Sequence, residues 1–257
     1  MDAGLRTPLL DFFRRGEVAR DIRLLAAQGA IAPRPLEQLL LLMLLTSDTD
    51  VEIRAVAEAT LQVLPRPLVA GFIARADTPD DLREFFVGRG IEPAAVPAAD
   101  EDAPILDTDQ SPVDGTEDQN AESVATRISR MNVPQKIRAA MKGTREMRAL
   151  LIRDPNRVVG FAVLSCPRVT DQEVEIFSKM TNISSDLLRA IGQTRGWMKN
   201  YSILASLVKN PKTPVPLSLT LIHRLIDRDV RSLSLDRNVP EPLRIAARRK
   251  VIQSHSS

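Results

Sequence analysis

Residues 202–225 read SILASLVKNPKTPVPLSLTLIHRL and lie within a repeat that recurs through the C-terminal half of the chain. Five segments begin with Asn or Asp, place an aliphatic side chain five residues later and a small one eight residues later. The segments begin at Asn132, Asp154, Asn182, Asn210 and Asn238, so the last four are evenly spaced by 28 residues. Such periodic self-similarity predicts a solenoid, in which repeated units stack on one another.

The Asn and Asp residues that open the segments predict helix starts. Their side chains accept hydrogen bonds from the free amides of a first helical turn, and Pro suits the next position, as after Asp154 and Asn210. Asn132 and Asn238 add an acceptor three residues later, as in a capping box. The side chains five, eight and nine residues on then share one helical face, which is the predicted core. These predicted core residues are Ile137, Ala140, Met141, Val159, Ala162, Val163, Leu187, Ala190, Ile191, Val215, Ser218, Leu219, Leu243, Ala246 and Ala247.

A second helix fits the remainder of each unit. Thr170 and Glu173 form another capping-box pattern ahead of an apolar stretch, and the counterparts begin near Thr144, Gly196 and Asp227. Two helices of about ten residues are marginal in isolation, so they must stack on their neighbours to bury their apolar faces.

Two stretches carry a resemblance to a known family. Residues 202–225 and residues 227–249, DRDVRSLSLDRNVPEPLRIAARR, resemble bacterial leucine-rich repeat variant units, which are relatives of HEAT repeats. The resemblance covers residues 127–250 and implies short helices that alternate in a right-handed superhelix. Founding members of that family carry a cysteine cluster for iron and sulfur. This chain has only Cys166, so that cofactor is not implied and no other is predicted.

The whole chain is predicted to be all-α in three parts. Residues 1–93 read as a smaller HEAT-like helical domain, because an apolar helix, an Asp-containing turn and a helix with an early Arg follow one another at residues 36–57. Residues 94–125 read as a disordered linker, since they hold nine acidic side chains and no basic ones. Residues 126–257 form the predicted helical-repeat solenoid and carry 24 basic and 10 acidic side chains. The linker has two candidate roles, a solubilising spacer or an acidic strap over that basic surface.

The expected cellular compartment is inferred from features that the sequence lacks. No signal-peptide pattern opens the chain, and the longest apolar run, residues 39–45, is far shorter than the roughly 20 residues that span a bilayer. A single cysteine is the usage expected of a reducing compartment. The sequence therefore predicts a cytoplasmic protein without membrane insertion.

Catalytic chemistry has few candidate residues. His223 and His255 are the only histidines, and neither has a partner at zinc-ligand spacing. His223 is expected to be partly buried on a helix, and Cys166 to be a small packed thiol. No catalytic, metal-binding or cofactor-binding residue is predicted, and an enzymatic role is not expected.

Partner binding is the remaining class of function, and two sets of residues are candidates for it. The positions just before the capping residues hold Arg153, Thr181, Lys209 and Arg237, of which three are basic and recur in step with the repeat. Trp197 and Tyr201 are the only residues of their kinds and are expected on one helical face, either as an exposed anchor or as core. The leading hypothesis is a non-enzymatic scaffold that holds another protein, with an acidic partner suggested by the charge. The alternative is nucleic-acid binding through phosphate contacts.

Overall fold

A computed structural model of the chain describes residues 7–31, 34–99, 105–106 and 123–255. Over these residues the secondary structure is entirely helical, which confirms the all-α prediction. The chain divides into two compact units, Met1–Thr144 and Arg145–Ser257. The first of the five repeat segments, at Asn132, therefore lies in the first unit. The described helices include none that is both long enough and apolar enough to cross a membrane.

The first unit is organised around its third helix. Its helices are α1 (Pro8–Arg14), α2 (Arg20–Ala27), α3 (Pro35–Leu45), α4 (Val51–Val63), α5 (Arg66–Ile73), α6 (Asp80–Val87), α7 (Val124–Arg130) and α8 (Val133–Lys142). Helix α3 contacts α1, α2, α4 and α6 and is buried on nearly every side, as its mostly apolar sequence predicts. In the turn before α4, the Arg54 guanidinium donates to the carbonyl oxygens of Asp48 (2.6 Å) and Thr49 (3.2 Å), so the early arginine fixes this turn.

Parts of the predicted linker make specific contacts within the first unit. The amides of Ala94 and Ala98 donate to the carbonyl oxygens of Ala70 and Gly71 on α5, at 3.0 and 2.9 Å. Leu106 is held by α3. Residues 100–104 and 107–122 lie outside the described residues, and the hypothesis of an acidic strap falls on them.

The second unit consists of two kinds of helix that alternate along the chain. They are α9 (Arg145–Leu151), α10 (Arg157–Ser165), α11 (Asp171–Lys179), α12 (Ser185–Gln193), α13 (Tyr201–Lys209), α14 (Val215–Leu221), α15 (Asp227–Leu235) and α16 (Glu241–His255), with 3-10 turns at Trp197–Lys199 and Ile222–Arg224. Helices two apart contact each other in the pairs α9 and α11, α10 and α12, α11 and α13, and α14 and α16. We call α10, α12, α14 and α16 the first row and α9, α11, α13 and α15 the second row.

The predicted core of the repeat is largely confirmed. Most of its side chains are buried, and Val159, Ala162 and Ile191 are completely so. The exceptions are Val215, Leu219 and Ala246, which are half-buried. Two glycines of the first row, Gly160 and Gly192, lie closely against the next first-row helix. A Cβ atom at Gly160 would lie 2.6 Å from Leu187 Cδ1 of α12, and one at Gly192 would lie 2.6 Å from Leu217 Cδ2 of α14.

Most of the predicted helix starts are wrong by two to four residues. Asn132 does cap α8 with Gln135 in a capping box, and Thr170 caps α11 with Glu173 in the same way. Helix α10 is instead capped by Asn156, because the Asp154 side chain accepts the Asn156 amide (2.8 Å) in a turn ahead of the helix.

The other misplaced starts have related causes. The Asn210 side chain accepts the Lys212 amide (2.9 Å), and α14 begins only at Val215. A helix from Pro211 would have placed Pro214 and Pro216 in its interior, where each removes a helical hydrogen bond. Helix α12 is capped by Ser184 rather than Asn182, and α16 begins three residues after Asn238, at Glu241.

One buried ion pair joins the second row near its start. The Arg148 guanidinium on α9 donates to the Glu173 carboxylate on α11 through Nε (2.9 Å) and Nη2 (3.1 Å). The two side chains are only 7% and 3% exposed. Glu173 also accepts the amide and hydroxyl of Thr170, both at 3.1 Å, so one carboxylate both pairs the two helices and caps α11.

Candidate functional site: a groove at the ends of the second-row helices

The positions before the predicted caps all lie where second-row helices end. Lys209 is the last residue of α13, whereas Arg153, Thr181 and Arg237 lie two residues beyond the ends of α9, α11 and α15. Cations are favoured there because helix carbonyl groups carry partial negative charge at the C-terminal end. The repeat thus places this set of side chains at one kind of position, as the sequence predicts.

A cavity of about 540 Å³ opens among three of these helix ends. Its lining comes from the end of α11, from α13 and from the turn after α15, and consists of Lys179, Thr181, Ala205, Ser206, Lys209, Asn210, Pro211, Asp236 and Asn238. We call this cavity the groove. Thr181 and Lys209 line it directly, and Arg237 lies in the sequence between the lining residues Asp236 and Asn238. Arg153 does not line it.

Lys209 is engaged within the chain. Its Nζ donates to Asp229 Oδ1 on α15 at 2.8 Å, and Asp229 also accepts a short hydrogen bond from the Tyr201 hydroxyl. The Tyr201 oxygen in turn accepts the amide of Ile226 at 3.2 Å. Two residues predicted to bind a partner therefore join α13 to α15. Each keeps an exposed portion, 40% of the Lys209 side chain and 37% of Tyr201.

The electrostatics of this cluster follow from its hydrogen bonds. The donors Lys209 and Tyr201 hold the pKa of the Asp229 carboxyl below its usual value. The pKa of Tyr201 is raised, first by burial and then by its hydrogen bond to the Asp229 carboxylate. Asp229 therefore stays ionised, and its charge offsets that of Lys209 at the wall of the groove.

Trp197 and Tyr201 do not share a helical face, so that prediction is wrong. Trp197 is half-buried in a 3-10 turn, and Tyr201 is the first residue of α13. Between them, Asn200 leaves the helical conformation and accepts the Ser202 amide (3.0 Å) as the cap of α13. The sequence signal for this break was Asn200 itself, a strong capping residue.

Asn210 has a role that the sequence did not reveal. Its amide nitrogen donates to the carbonyl oxygens of Ser178 and Met180, both at 2.8 Å, so it ties the end of α13 to the end of α11. The side chain at the corresponding end of α15 is Asp236, whose carboxylate has no N–H to donate and instead accepts the Asn238 amide (2.9 Å). The groove lies beside this second position, where no carboxamide bridges α15 to α13.

Several polar groups in the groove are available to a ligand. The Ser206 hydroxyl, on a residue only 8% exposed, and the Asn238 side chain have no hydrogen-bond partner among the described residues. Lys179 bonds Glu175 (2.6 Å), so both lysines of the groove are paired with carboxylates, and Asp236 adds a further negative charge. The groove therefore presents mixed donors and acceptors rather than a purely basic surface.

The residues considered for catalysis belong to different elements of the second unit. Cys166 is buried at the end of α10, in agreement with the predicted packed thiol. His223 is exposed in a 3-10 turn, which corrects the prediction of a partly buried helical residue. Within the described part of the chain, no three His, Cys, Asp or Glu side chains are grouped so as to hold a metal ion.

Comparison with known proteins adds no assignment. No family model matches the chain, and neither a curated protein nor a solved structure matches it.

Proposed function

We propose that this chain is a non-enzymatic scaffold whose second unit, a HEAT-like helical solenoid, holds another protein in the groove. The observation that carries the proposal is the groove itself, which spans three successive second-row ends and offers unpaired polar groups. The contacts between helices two apart support the solenoid arrangement. The resemblance of residues 127–250 to leucine-rich repeat variant units supports it as well.

The chemistry of the groove favours a protein segment over a polyanion. A peptide offers both N–H and C=O groups along its length, and the groove supplies hydroxyl, amide, ammonium and carboxylate groups that match them. A phosphate backbone would meet two lysines that are already paired and the like charge of Asp236. The proposal of a protein partner therefore rests on the mixed polar lining of the groove and not on net charge.

The test compares two substitutions in the full chain that add the same positive charge. Asn238→Arg blocks the groove at an exposed lining position, whereas Ser232→Arg lies on the exposed face of α15 outside the lining. Proteins retained from nuclease-treated extract by the wild type are expected to be retained by Ser232→Arg and lost with Asn238→Arg, as measured by quantitative mass spectrometry. Equal retention by both variants would show that the groove is not the binding surface.

Nucleic-acid binding is the second candidate, and a separate observation favours it. Residues 145–257 carry 19 basic and 10 acidic side chains, and Arg153 and Arg237 are exposed and in no ion pair with a described residue. Binding through phosphates would weaken steeply with salt, because each neutralised phosphate releases a counterion. Gel shifts with the full chain, with Arg153→Ala and with Arg237→Ala at several salt concentrations test this. Absence of a complex at low salt would remove the candidate.

A further inference from the structure

In the first unit, a side chain of α3 holds Leu106, which belongs to the stretch predicted to be an acidic linker. The buried Gln38 side chain accepts the Leu106 amide through Oε1 and donates to the Leu106 carbonyl through Nε2, both at 3.1 Å. The same nitrogen donates to the Gly29 carbonyl at 2.9 Å. One carboxamide thus satisfies both backbone groups of Leu106, as a neighbouring strand would do in a sheet.

Gly29 gives this site its shape. It has a positive φ of 79°, which favours glycine, and it ends the turn that follows α2. A Cβ atom at residue 29 would lie 3.3 Å from both Leu106 Cδ1 and Gln38 Nε2. We call the surface formed by Gly29 and Gln38 the notch. It combines two backbone hydrogen bonds with room for one aliphatic side chain.

These are the elements by which proteins bind extended peptides. Backbone hydrogen bonds supply affinity without regard to sequence, and a space for one side chain supplies specificity. Residues 101–110 read EDAPILDTDQ, so Ile105 and Leu106 are the large aliphatic residues of an otherwise acidic and polar stretch. The notch is thus occupied by Leu106, and acidic and polar residues surround Ile105 and Leu106 in the sequence.

We propose that the notch is a peptide-recognition site, filled in the free protein by Leu106 of the chain itself. A partner protein would dock there through an extended acidic segment that carries a leucine, and would displace Leu106. The covalent connection raises the effective concentration of the internal segment to the millimolar range, so a partner must compete with it. This inference concerns the first unit and does not depend on the groove.

The test vacates the notch in the full chain and adds the peptide from outside. A fluorescently labelled EDAPILDTDQ peptide is expected to bind Leu106→Ser with a Kd at least about tenfold lower than that for the wild type, where the internal segment competes. Fluorescence anisotropy measures both. Failure to bind Leu106→Ser, or equal binding to the wild type, would overturn the proposal.

Two controls identify the contacts. Gln38→Leu in the Leu106→Ser background removes both backbone hydrogen bonds and is expected to abolish binding. If that variant does not fold, the decision rests on a peptide in which the leucine is replaced by alanine, which is expected to bind at least about tenfold more weakly. Binding that is indifferent to the leucine would overturn the proposal, because the notch would then play no part in it.

Discussion

Replacing Glu173 by glutamine tests whether the buried ion pair between α9 and α11 stabilises the second unit. Glutamine has nearly the same size, but it replaces the carboxylate that pairs with the Arg148 guanidinium, whose side chain is 7% exposed, by a neutral amide. Its amide group also meets donors on both sides, from Arg148 and from Thr170. Breaking a buried pair from one side costs about 3–5 kcal/mol, so the variant is expected to lose roughly that free energy of unfolding.

Two companion variants separate charge from capping. Adding Arg148→Met removes the buried guanidinium that has lost the Glu173 carboxylate, so the double variant is expected to be at least about 2 kcal/mol more stable than Glu173→Gln alone. Glu175→Gln makes the same chemical change on the same helix, in a pair whose lysine side chain is 59% exposed. It is expected to cost no more than about 0.5 kcal/mol.

The chain has a single tryptophan, Trp197, and it lies in the second unit. Its fluorescence in urea therefore follows that unit selectively. A loss of 3 kcal/mol or more lowers the urea midpoint by at least about 1 M at ordinary slopes of 1–3 kcal/mol per M. The reasoning is refuted if Glu173→Gln costs no more than Glu175→Gln, or if the double variant is no more stable than the single one.

Three further predictions concern other polar groups. Burial raises the pKa of the Glu37 carboxyl on α3 above its ordinary value of 4.5. Above about pH 4.5 the unfolded chain therefore releases a proton that the folded state keeps. The free energy of unfolding falls as the pH rises from there to the folded-state pKa. Glu37→Gln is expected to remove that loss and to raise the thermal midpoint at pH 7; unchanged pH profiles in far-UV circular dichroism would contradict this. Asn210→Asp places a carboxylate against two carbonyl oxygens and is expected to cost at least about 2 kcal/mol in urea titrations, whereas Asn238→Asp, at the exposed position 28 residues later in the sequence, stays within about 0.5 kcal/mol. Tyr201→Phe removes one hydrogen bond to Asp229 and one from the Ile226 amide, with an expected cost of about 1–2 kcal/mol by the same measurement, and a cost near zero would show that this cluster does not stabilise the unit.

The sequence predicted those features that depend on neighbouring residues along the chain. The Thr170 and Glu173 capping box is present, and α15 begins at Asp227 as expected. The buried positions of the repeat also followed from spacing, because helical periodicity alone brings residues three and four apart together. These features need no knowledge of which helices touch.

Features that depend on competition between local arrangements could not be predicted. An Asn or Asp side chain accepts an amide two residues later both in a helix cap and in a preceding turn, so Asp154 and Asn210 read as caps although each lies ahead of its helix. Contacts between residues far apart in the sequence could not be predicted either. Lys209 reads as a free cation, but its partner Asp229 is twenty residues away, and only the packing of α13 and α15 brings them together.

The two glycine contacts of the first row allow substitutions outside the groove to change the spacing of the helices in the second unit. Gly160 and Gly192 let α12 approach α10 and α14, while no helix of the second row contains a glycine. Adding a methyl group at either position would therefore wedge apart one side of the unit and leave the opposite side in contact. Because the groove lies at the ends of second-row helices, a substitution at either glycine would change its width without altering any side chain that lines it. Natural selection for ligand affinity would then act on Gly160 and Gly192, although neither residue lines the groove.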